Sequence, residues 1–471
     1  MILFQRICLL LVLLGGSTVD ALHKVKPLAA ISSPQQEREQ QQQALDKISQ
    51  IPRGGARNRR PKIKTTTEGA SVPSHVFNLV KGIVGVGVLS LPAGIAAFAD
   101  DPKAVVPATG LITVIGILSA FGFFLIGKVC AYTGATSYRD AWSKSVGDGS
   151  SWIPAASCTV KTCLACLAFS MVLGDTFAAL LGTARNPTLV ALTVAVLLPL
   201  CLLKNLSALA PFSLLGVLGM GYTAVAMGIR YFDGSYKPEG SLVGDVAEKL
   251  QPVFGSTTDV FTSKSLILVC MLSTAFMAHF NAPKFYLELK DNTLQRFNSV
   301  VSLSFGISIL LMSGITMLGF LTFGKSCSGL VLNNYSTKDL FMSGSRIAVA
   351  ISLVFSYPLA FTGCRDGTMD ILNIPAEKRS SSIQNLITVA LLSLFTCGAI
   401  ILKDVSFVLA FGGATLGNLL TYVYPALMYR AIVRQQGRTE ENGAVAVSLL
   451  SACLGIVMGI IGTKMAIQNI A

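Results

Sequence analysis

Charged residues are scarce in this chain. Only 13% of its 471 residues are Asp, Glu, Lys or Arg, whereas 52% are hydrophobic, and the mean hydropathy is +0.63. A soluble globular domain carries about 25% charged residues. The scarcity of charge therefore excludes a soluble globular protein and indicates a membrane protein.

Residues that carry catalysis or bind metals are scarce as well. There are three histidines, and no group of His, Asp and Cys has the pattern of an enzyme active site or a metal site. Most of the 11 cysteines lie in apolar segments, where cysteine acts as a small apolar residue. Cys163 and Cys166 have redox spacing but no thioredoxin-like context. The sequence predicts no enzyme, no cofactor and no metal.

The formal net charge of +13 does not indicate a nucleic-acid partner. Residues 1–74 carry eleven Lys or Arg and five Asp or Glu, so about +6 belongs to the N-terminal segment. Most of the remaining positive charge lies in short loops on one side of the predicted spans, as the positive-inside rule describes. We therefore predict a lipid bilayer, and no nucleic acid, as the surroundings of the chain.

Long apolar runs recur through the rest of the sequence, and each is long enough to cross a bilayer. They predict an all-α polytopic membrane protein with about eleven spans. The side that holds the N-terminal segment carries the basic loops and is predicted to be cytoplasmic, or stromal in an organelle. The predicted spans are about 75–99, 105–127, 154–182, 188–203, 207–230, 262–287, 297–323, 341–364, 384–402, 404–429 and 443–468.

The N-terminal segment divides into two parts. Residues 1–21 hold one arginine and a short apolar run that ends in Val19-Asp20-Ala21, which predicts a signal peptide. Residues 22–74 are rich in Gln, Ser, Arg and Thr and predict a disordered basic leader or cytoplasmic tail. A signal followed by a basic segment resembles the leaders of complex plastids, so a plastid envelope is the alternative to an endomembrane, vacuolar or plasma membrane.

The first span is interrupted by small residues. Its sequence NLVKGIVGVGVLSLP has glycine at 82, 85 and 87 and ends on Pro92. Glycine loosens a helix, and freed backbone groups are tolerated inside a membrane only where they line a protected cavity. Broken helices of this kind expose backbone to the substrate in many secondary transporters. The pattern favours a carrier over a simple membrane anchor.

Five marked segments recur in order along the chain: FNLVKGIVGVGVLSLPAG at 77–94, AFMAHFNAPKFYLEL at 275–289, FLTFGKSCSGLVLNN at 320–334, SYPLAFTGCRD at 356–366 and FGGATLGNLLTYVYPALMYR at 411–430. Together and in register, they resemble the amino acid/auxin permease family, which contains vesicular, vacuolar and neutral amino-acid carriers. The resemblance covers about 75–468, which includes all the predicted spans.

The resemblance implies the 5+5 inverted repeat of the leucine-transporter class, in which the first and sixth helices are broken at the midplane. The sequence agrees independently, because His279, Asn281 and Pro283 interrupt the sixth span. Asn281 is placed to cap a half-helix that begins at Ala282 or Pro283. The two breaks predict a substrate-binding set of Gly85, Val86, Gly87, Thr274, Phe276, His279 and Asn281.

Each of these residues also has a plainer interpretation. The glycines could serve close helix packing, and His279 could be a hydrogen-bonded structural histidine. Three further residues are candidates for ion coupling: Lys81, Asp175 and Ser356. Lys81 could instead extend toward the cytoplasmic interface, and Asp175 could be a water-exposed acid at a helix end. Ser356, where sodium-coupled members of the family place a hydroxyl on the ion, could simply bond to backbone.

Three classes of function follow. The first is a secondary carrier of small, neutral amino acids; the second is a non-transporting amino-acid sensor on the same fold, which a long structured tail would favour; the third is a membrane enzyme. The sequence favours the carrier, with an amino acid and a coupling proton or sodium ion as its partners. Since no phosphate-binding loop is present, uphill transport would depend on an ion gradient. If the Lys81 ammonium is turned inward near the ion position, it would repel sodium by roughly 4 kcal/mol at about 4 Å, which favours proton coupling or exchange.

Overall fold

The computed structural model describes residues 69–203, 214–256, 262–374 and 378–468. The predicted signal peptide and nearly all of the predicted leader lie outside these residues, so both stay predictions. Apart from 371–373, the described residues belong to one compact unit. Within them we find helices and two isolated β-bridges but no strand. The expected all-α architecture is confirmed.

The first half of the chain forms eight α-helices. The first two belong to one interrupted span, and the sixth and seventh are joined through a π-helical turn at Thr193–Leu197. The helices are α1 Val72–Ile83, α2 Leu91–Ala96, α3 Val105–Thr133, α4 Tyr138–Ser145, α5 Trp152–Leu181, α6 Arg185–Leu192, α7 Leu198–Leu202 and α8 Leu214–Phe232.

The second half follows the same order, with an interrupted span first. Two π-helical turns, Gly413–Gly417 and Leu419–Val423, connect α14 to α15. The helices are α9 Ser265–Ala275, α10 Ala282–Leu287, α11 Leu294–Phe323, α12 Leu340–Ile371, α13 Ser381–Ile401, α14 Val405–Gly412, α15 Tyr424–Gln435 and α16 Asn442–Gln468.

Nine helical segments of the described residues are long and apolar enough to cross a membrane, and the bent pair α1–α2 makes a tenth. The predicted span at 207–230 is described only from residue 214 on, so the count of eleven stays a prediction. The division between the ninth and tenth predicted spans is clear. Helix α13 ends at Ile401, and α14 begins at Val405 after Asp404, whose carboxylate accepts a hydrogen bond from the Ser406 N–H at 2.9 Å.

The two interrupted spans are joined at one end of the molecule. The Ala70 N–H donates to the Glu288 carbonyl at 2.9 Å, and the Lys290 N–H donates to the Ala70 carbonyl at 3.1 Å. The start of α1 therefore lies beside the end of α10. Helices α2 and α9, on the far side of the two breaks, lie toward the opposite end.

A buried ion pair stabilises the loop that leads into α12. The Arg230 guanidinium donates two hydrogen bonds, of 2.8 and 2.9 Å, to the Asp339 carboxylate, whose side chain is fully buried. The Tyr236 hydroxyl donates to the same carboxylate at 2.9 Å. Burial, together with the adjacent carboxylate, raises the pKa of Tyr236, so this phenol stays a neutral donor. Asp339 also accepts from the Phe341 N–H at the start of α12.

Candidate functional site

The first interruption lies between Ile83, where α1 ends, and Leu91, where α2 begins. Val84 and Gly85 are not helical, and a 3-10 turn spans Val86–Ser90. The two helical parts of the span are bent by 42°. Gly85 has φ −110° and ψ −169°, an extended conformation that any residue can adopt. Glycine is therefore not required here by the backbone, and its effect is to leave space.

The space beside the first interruption is open. A Cβ atom added at Gly85 would meet no atom within 4 Å, and one at Gly87 would lie 3.8 Å from the Leu409 side chain. Glycines that serve close packing look different: a Cβ at Gly94 would lie 2.9 Å from Leu268, and one at Gly413 would overlap the Cys270 carbonyl. Gly85 therefore borders open space, and Gly87 lies beside the Leu409 side chain of α14 without close packing.

The second interruption follows Ala275, where α9 ends. Phe276, Met277 and Ala278 are not helical, and a 3-10 turn at His279–Asn281 leads into α10. Helix α10 begins at Ala282 with Pro283 in its first turn. Asn281 occupies the N-cap position, but its side chain makes no capping hydrogen bond within the described part of the chain. The half-helix begins where the sequence predicts, without the capping bond that the prediction included.

Thr274 and Gly87 lie beside the same residue of α14. The Thr274 hydroxyl donates to the Leu409 carbonyl at 2.7 Å, and the Leu409 side chain faces the space at Gly87. The structure thus brings the two interrupted spans together around α14. Phe276 is fully buried instead, and its ring stacks on Phe305 with the centroids 6.1 Å apart.

His279 points away from this space. It is fully buried between Phe123 and Phe305, and its Nε2 atom lies 2.9 Å from the Ser119 carbonyl of α3. Because a carbonyl only accepts, Nε2 carries the proton, and Nδ1 has no partner among the described residues. A Cβ at Gly122 would lie 3.2 Å from Nε2. This geometry favours the structural interpretation of His279, whose hydrogen bond to Ser119 links the second interruption to α3.

The three candidates for ion coupling lie on three different helices. Lys81 is in the last turn of α1, and Ser356 lies in α12, two residues before Pro358. Both side chains are partly buried. Proline has no N–H, so Pro358 leaves a carbonyl of the preceding turn without its usual helical donor.

Asp175 is not the water-exposed acid that its plainer interpretation supposes. Its side chain is 12% exposed and forms an ion pair with the Arg185 guanidinium. The Asn333 amide also donates to it at 3.3 Å, and Arg185 donates to the Ala399 carbonyl at 2.7 Å. That interpretation was wrong because the short connection between α5 and α6 returns Arg185 onto the carboxylate. Asp175 joins α5, α6 and α13.

Sequence reasoning missed Lys161. This lysine lies in α5, within a span whose other charged residue is Asp175, and its ammonium is 5.6 Å from the centre of the Phe280 ring at the second interruption. The signal that could have found it was present, since a charge inside an apolar span indicates a functional site by default.

A cavity of about 440 Å³ adjoins the two spans on the α2 and α9 side of the breaks. It lies on the opposite side of the two breaks from the link between Ala70 and Glu288. Its lining combines small apolar residues of α2 with polar groups near α14: Ala93, Ala96, Ala97, Ile267, Met271, Lys325, Cys327, Ser328, Gly329, Asp404, Ser406, Phe407 and Ala410.

Known proteins share this architecture. The solved inward-facing conformation of Mhp1 matches 84% of this chain and 89% of its own, with 14% identity and a TM-score of 0.51. At that identity the likeness shows the fold alone, and it confirms the expected fold of the leucine-transporter class.

The sequence comparisons name the family. The family model for the transmembrane amino acid transporter protein matches residues 68–468, and the chain belongs to that family. It is a multi-pass membrane protein that transports amino acids. Amino acid transporter AVT6E of Arabidopsis thaliana is 23% identical over 85% of this chain and 84% of its own. Putative sodium-coupled neutral amino acid transporter 11 of Mus musculus is 22% identical over 85% and 86%.

Proposed function

We propose that the protein is a secondary active transporter that moves small neutral amino acids across its membrane by alternating access. The observation that carries this proposal is the first interruption, where Val84 and Gly85 leave the helix and a Cβ added at Gly85 would meet no atom within 4 Å. A zwitterion placed there would lie beside backbone that no continuous helix occupies. The name of the mouse relative includes neutral amino acids, which supports this substrate class.

The proposed activity is tested by reconstitution. Purified protein in liposomes is expected to take up at least one of the twenty standard amino acids, supplied one at a time as labelled substrates under imposed proton or sodium gradients. Liposomes without protein are the control for leakage. If none of the twenty were taken up, the carrier proposal would be lost, and binding of an amino acid without uptake would favour a sensor on the same fold instead.

We further propose that transport is coupled to protons, or proceeds by exchange, rather than to sodium. Lys81 lies in the last turn of α1, and an ammonium turned inward from there to within about 4 Å of a bound sodium ion would repel it. Ser356 offers one neutral hydroxyl, whose net contribution of about 1 kcal/mol is smaller than the repulsion of about 4 kcal/mol at close range.

Replacing sodium with choline at constant pH is therefore expected to leave the uptake rate within about twofold, whereas changing the pH at constant sodium is expected to change it. Ser356→Ala should leave both responses as in the wild type, because the hydroxyl is not an ion ligand under this proposal. Uptake that collapsed in choline and recovered with sodium would overturn it, and a higher sodium requirement in Ser356→Ala would then identify Ser356 as a ligand.

A further inference from the structure

Helix α5 carries Lys161 on the face that is directed toward the protein interior. Ser157 and Leu164, four residues before and three after Lys161, share its face of the helix. The Ser157 hydroxyl lies 2.9 Å from the Tyr424 hydroxyl, and Leu164 lies 3.3 Å from where a Cβ of Gly412 would be. Because both neighbours contact the α14–α15 span, Lys161 also faces the interior.

The ammonium of Lys161 ends at the second interruption. It lies 5.6 Å from the centre of the Phe280 ring, inside the 3-10 turn His279–Asn281. Lys161, Phe280 and Asn281 are partly exposed, whereas the adjacent His279 is fully buried. The Lys161 ammonium and the Phe280 ring therefore lie together at an accessible part of the second interruption, whereas His279 does not.

No anionic partner of Lys161 is found among the residues that the structure describes. Each ion pair of 4.0 Å or less among the described residues joins a cation other than Lys161 to a carboxylate. The Phe280 ring favours a cation near its face but does not neutralise the charge. A charge held between apolar helices costs free energy unless an opposite charge pairs with it. The described surroundings therefore leave Lys161 suited to an anionic group that comes from outside the chain.

We propose that Lys161 is a substrate-binding residue whose ammonium group holds a carboxylate of the transported amino acid. The inference rests on the proposed function, since it places the substrate at the two interruptions. An ammonium has three donors and no acceptor, so it matches a carboxylate and not the substrate's own ammonium. The carboxylate has two sources: the main-chain group that every amino acid has, or the side-chain group of aspartate and glutamate.

The test compares Lys161→Met and Lys161→Arg with the wild type, as full-length protein in liposomes, for uptake of each of the twenty standard amino acids. Methionine keeps the length and apolar stem without the charge, whereas arginine keeps the charge. Losing a charge-assisted contact is expected to raise KM roughly 10- to 150-fold in Lys161→Met. Lys161→Arg is expected to stay within about tenfold of the wild type.

The pattern of the loss distinguishes the two sources. If Lys161 holds the main-chain carboxylate, KM rises for every substrate, while inhibition by α-carboxamide analogues of those substrates, which lack that charge, stays as in the wild type. If Lys161 holds a side-chain carboxylate, only aspartate and glutamate uptake is lost, and asparagine and glutamine uptake is unchanged. Either pattern supports the proposal, and the second would also change the proposed substrate class from neutral to acidic amino acids.

Two results would overturn it. If wild-type and Lys161→Met protein had equal KM values for all twenty amino acids, Lys161 would not bind the substrate, and the carrier proposal would stand. If Lys161→Met weakened the binding of amino acids and the inhibition by their carboxamides by the same factor, the role of Lys161 would be structural. Wild-type protein that moved none of the twenty would remove both proposals together.

Two controls protect the comparison. Lys144→Met removes a lysine that is 41% exposed and paired with Asp140 on α4, far from the interruptions in sequence, and is expected to keep the wild-type KM. Gel filtration in detergent confirms that each variant is folded. Since methionine is apolar and α5 is an apolar span, Lys161→Met is expected to insert normally. If it did not fold, Lys161→Gln would replace it, with the same expected rise in KM.

Discussion

Gly85→Leu and Gly87→Leu are each expected to abolish amino-acid uptake and to leave expression and membrane insertion near the wild-type level. A leucine at Gly87 would press on the Leu409 side chain, and one at Gly85 would occupy the open space beside the interruption. It would also favour continuous helix over the interruption by about 1 kcal/mol. Because a Cβ fits at both positions without a clash, neither variant should misfold. Uptake into liposomes and gel filtration in detergent measure the two effects separately.

Gly110→Leu is the matched control for these variants. Gly110 lies in α3, is exposed, and also has no atom within 4 Å of an added Cβ, but it is not in an interruption. It should transport at the wild-type rate. Gly87→Ala adds one methyl group at 3.8 Å from Leu409 and should reduce uptake less than Gly87→Leu. Wild-type uptake in both leucine variants would remove these glycines from the site, and loss of folded protein would indicate helix packing instead.

Asp339→Ala is expected to give the largest loss of stability of any single change considered for this protein. The substitution leaves the Arg230 guanidinium, which is 16% exposed, without its bidentate partner. Arg230 keeps its ion pair with Asp233 at 2.8 Å, so the lost charged hydrogen bonds are expected to cost about 1.5–3 kcal/mol, and the lost cap of α12 adds about 1 kcal/mol. The apparent melting temperature in detergent is the measurement, since unfolding of membrane proteins in heat is usually irreversible.

Asp245→Ala is the control for the stability experiment. Asp245 pairs with Lys338 at 2.5 Å, but Lys338 is 73% exposed, so solvent screens the pair. Its loss is expected to cost less than about 1 kcal/mol. Asp339→Asn, which keeps the shape and the cap but not the charge, should lie between the two. A melting temperature of Asp339→Ala equal to that of Asp245→Ala would contradict the structural role of the buried pair.

The sequence predicts the backbone of the candidate site better than its side chains. The glycines at 82, 85 and 87 indicate where α1 ends, and Asn281 with Pro283 indicates where α10 begins. These signals are local, because glycine and proline act on the helix in which they lie. Composition, apolar runs and the five family segments likewise suffice for the class of protein and its fold.

Only the tertiary structure decides which side chains face the space at the interruptions. A span that is apolar all round has no polar face in its sequence to indicate its rotation, so nothing local distinguishes His279, turned toward Ser119, from Lys161, turned toward Phe280. The ion pair of Asp175 could not be predicted from the sequence either, because Arg185 reaches the Asp175 carboxylate only where α6 folds back against α5. The sequence by itself determined the membrane class and the positions of the two interruptions, which depend on local residue types. Packing between helices decided the orientation of the polar groups, because each orientation depends on residues far away in the chain.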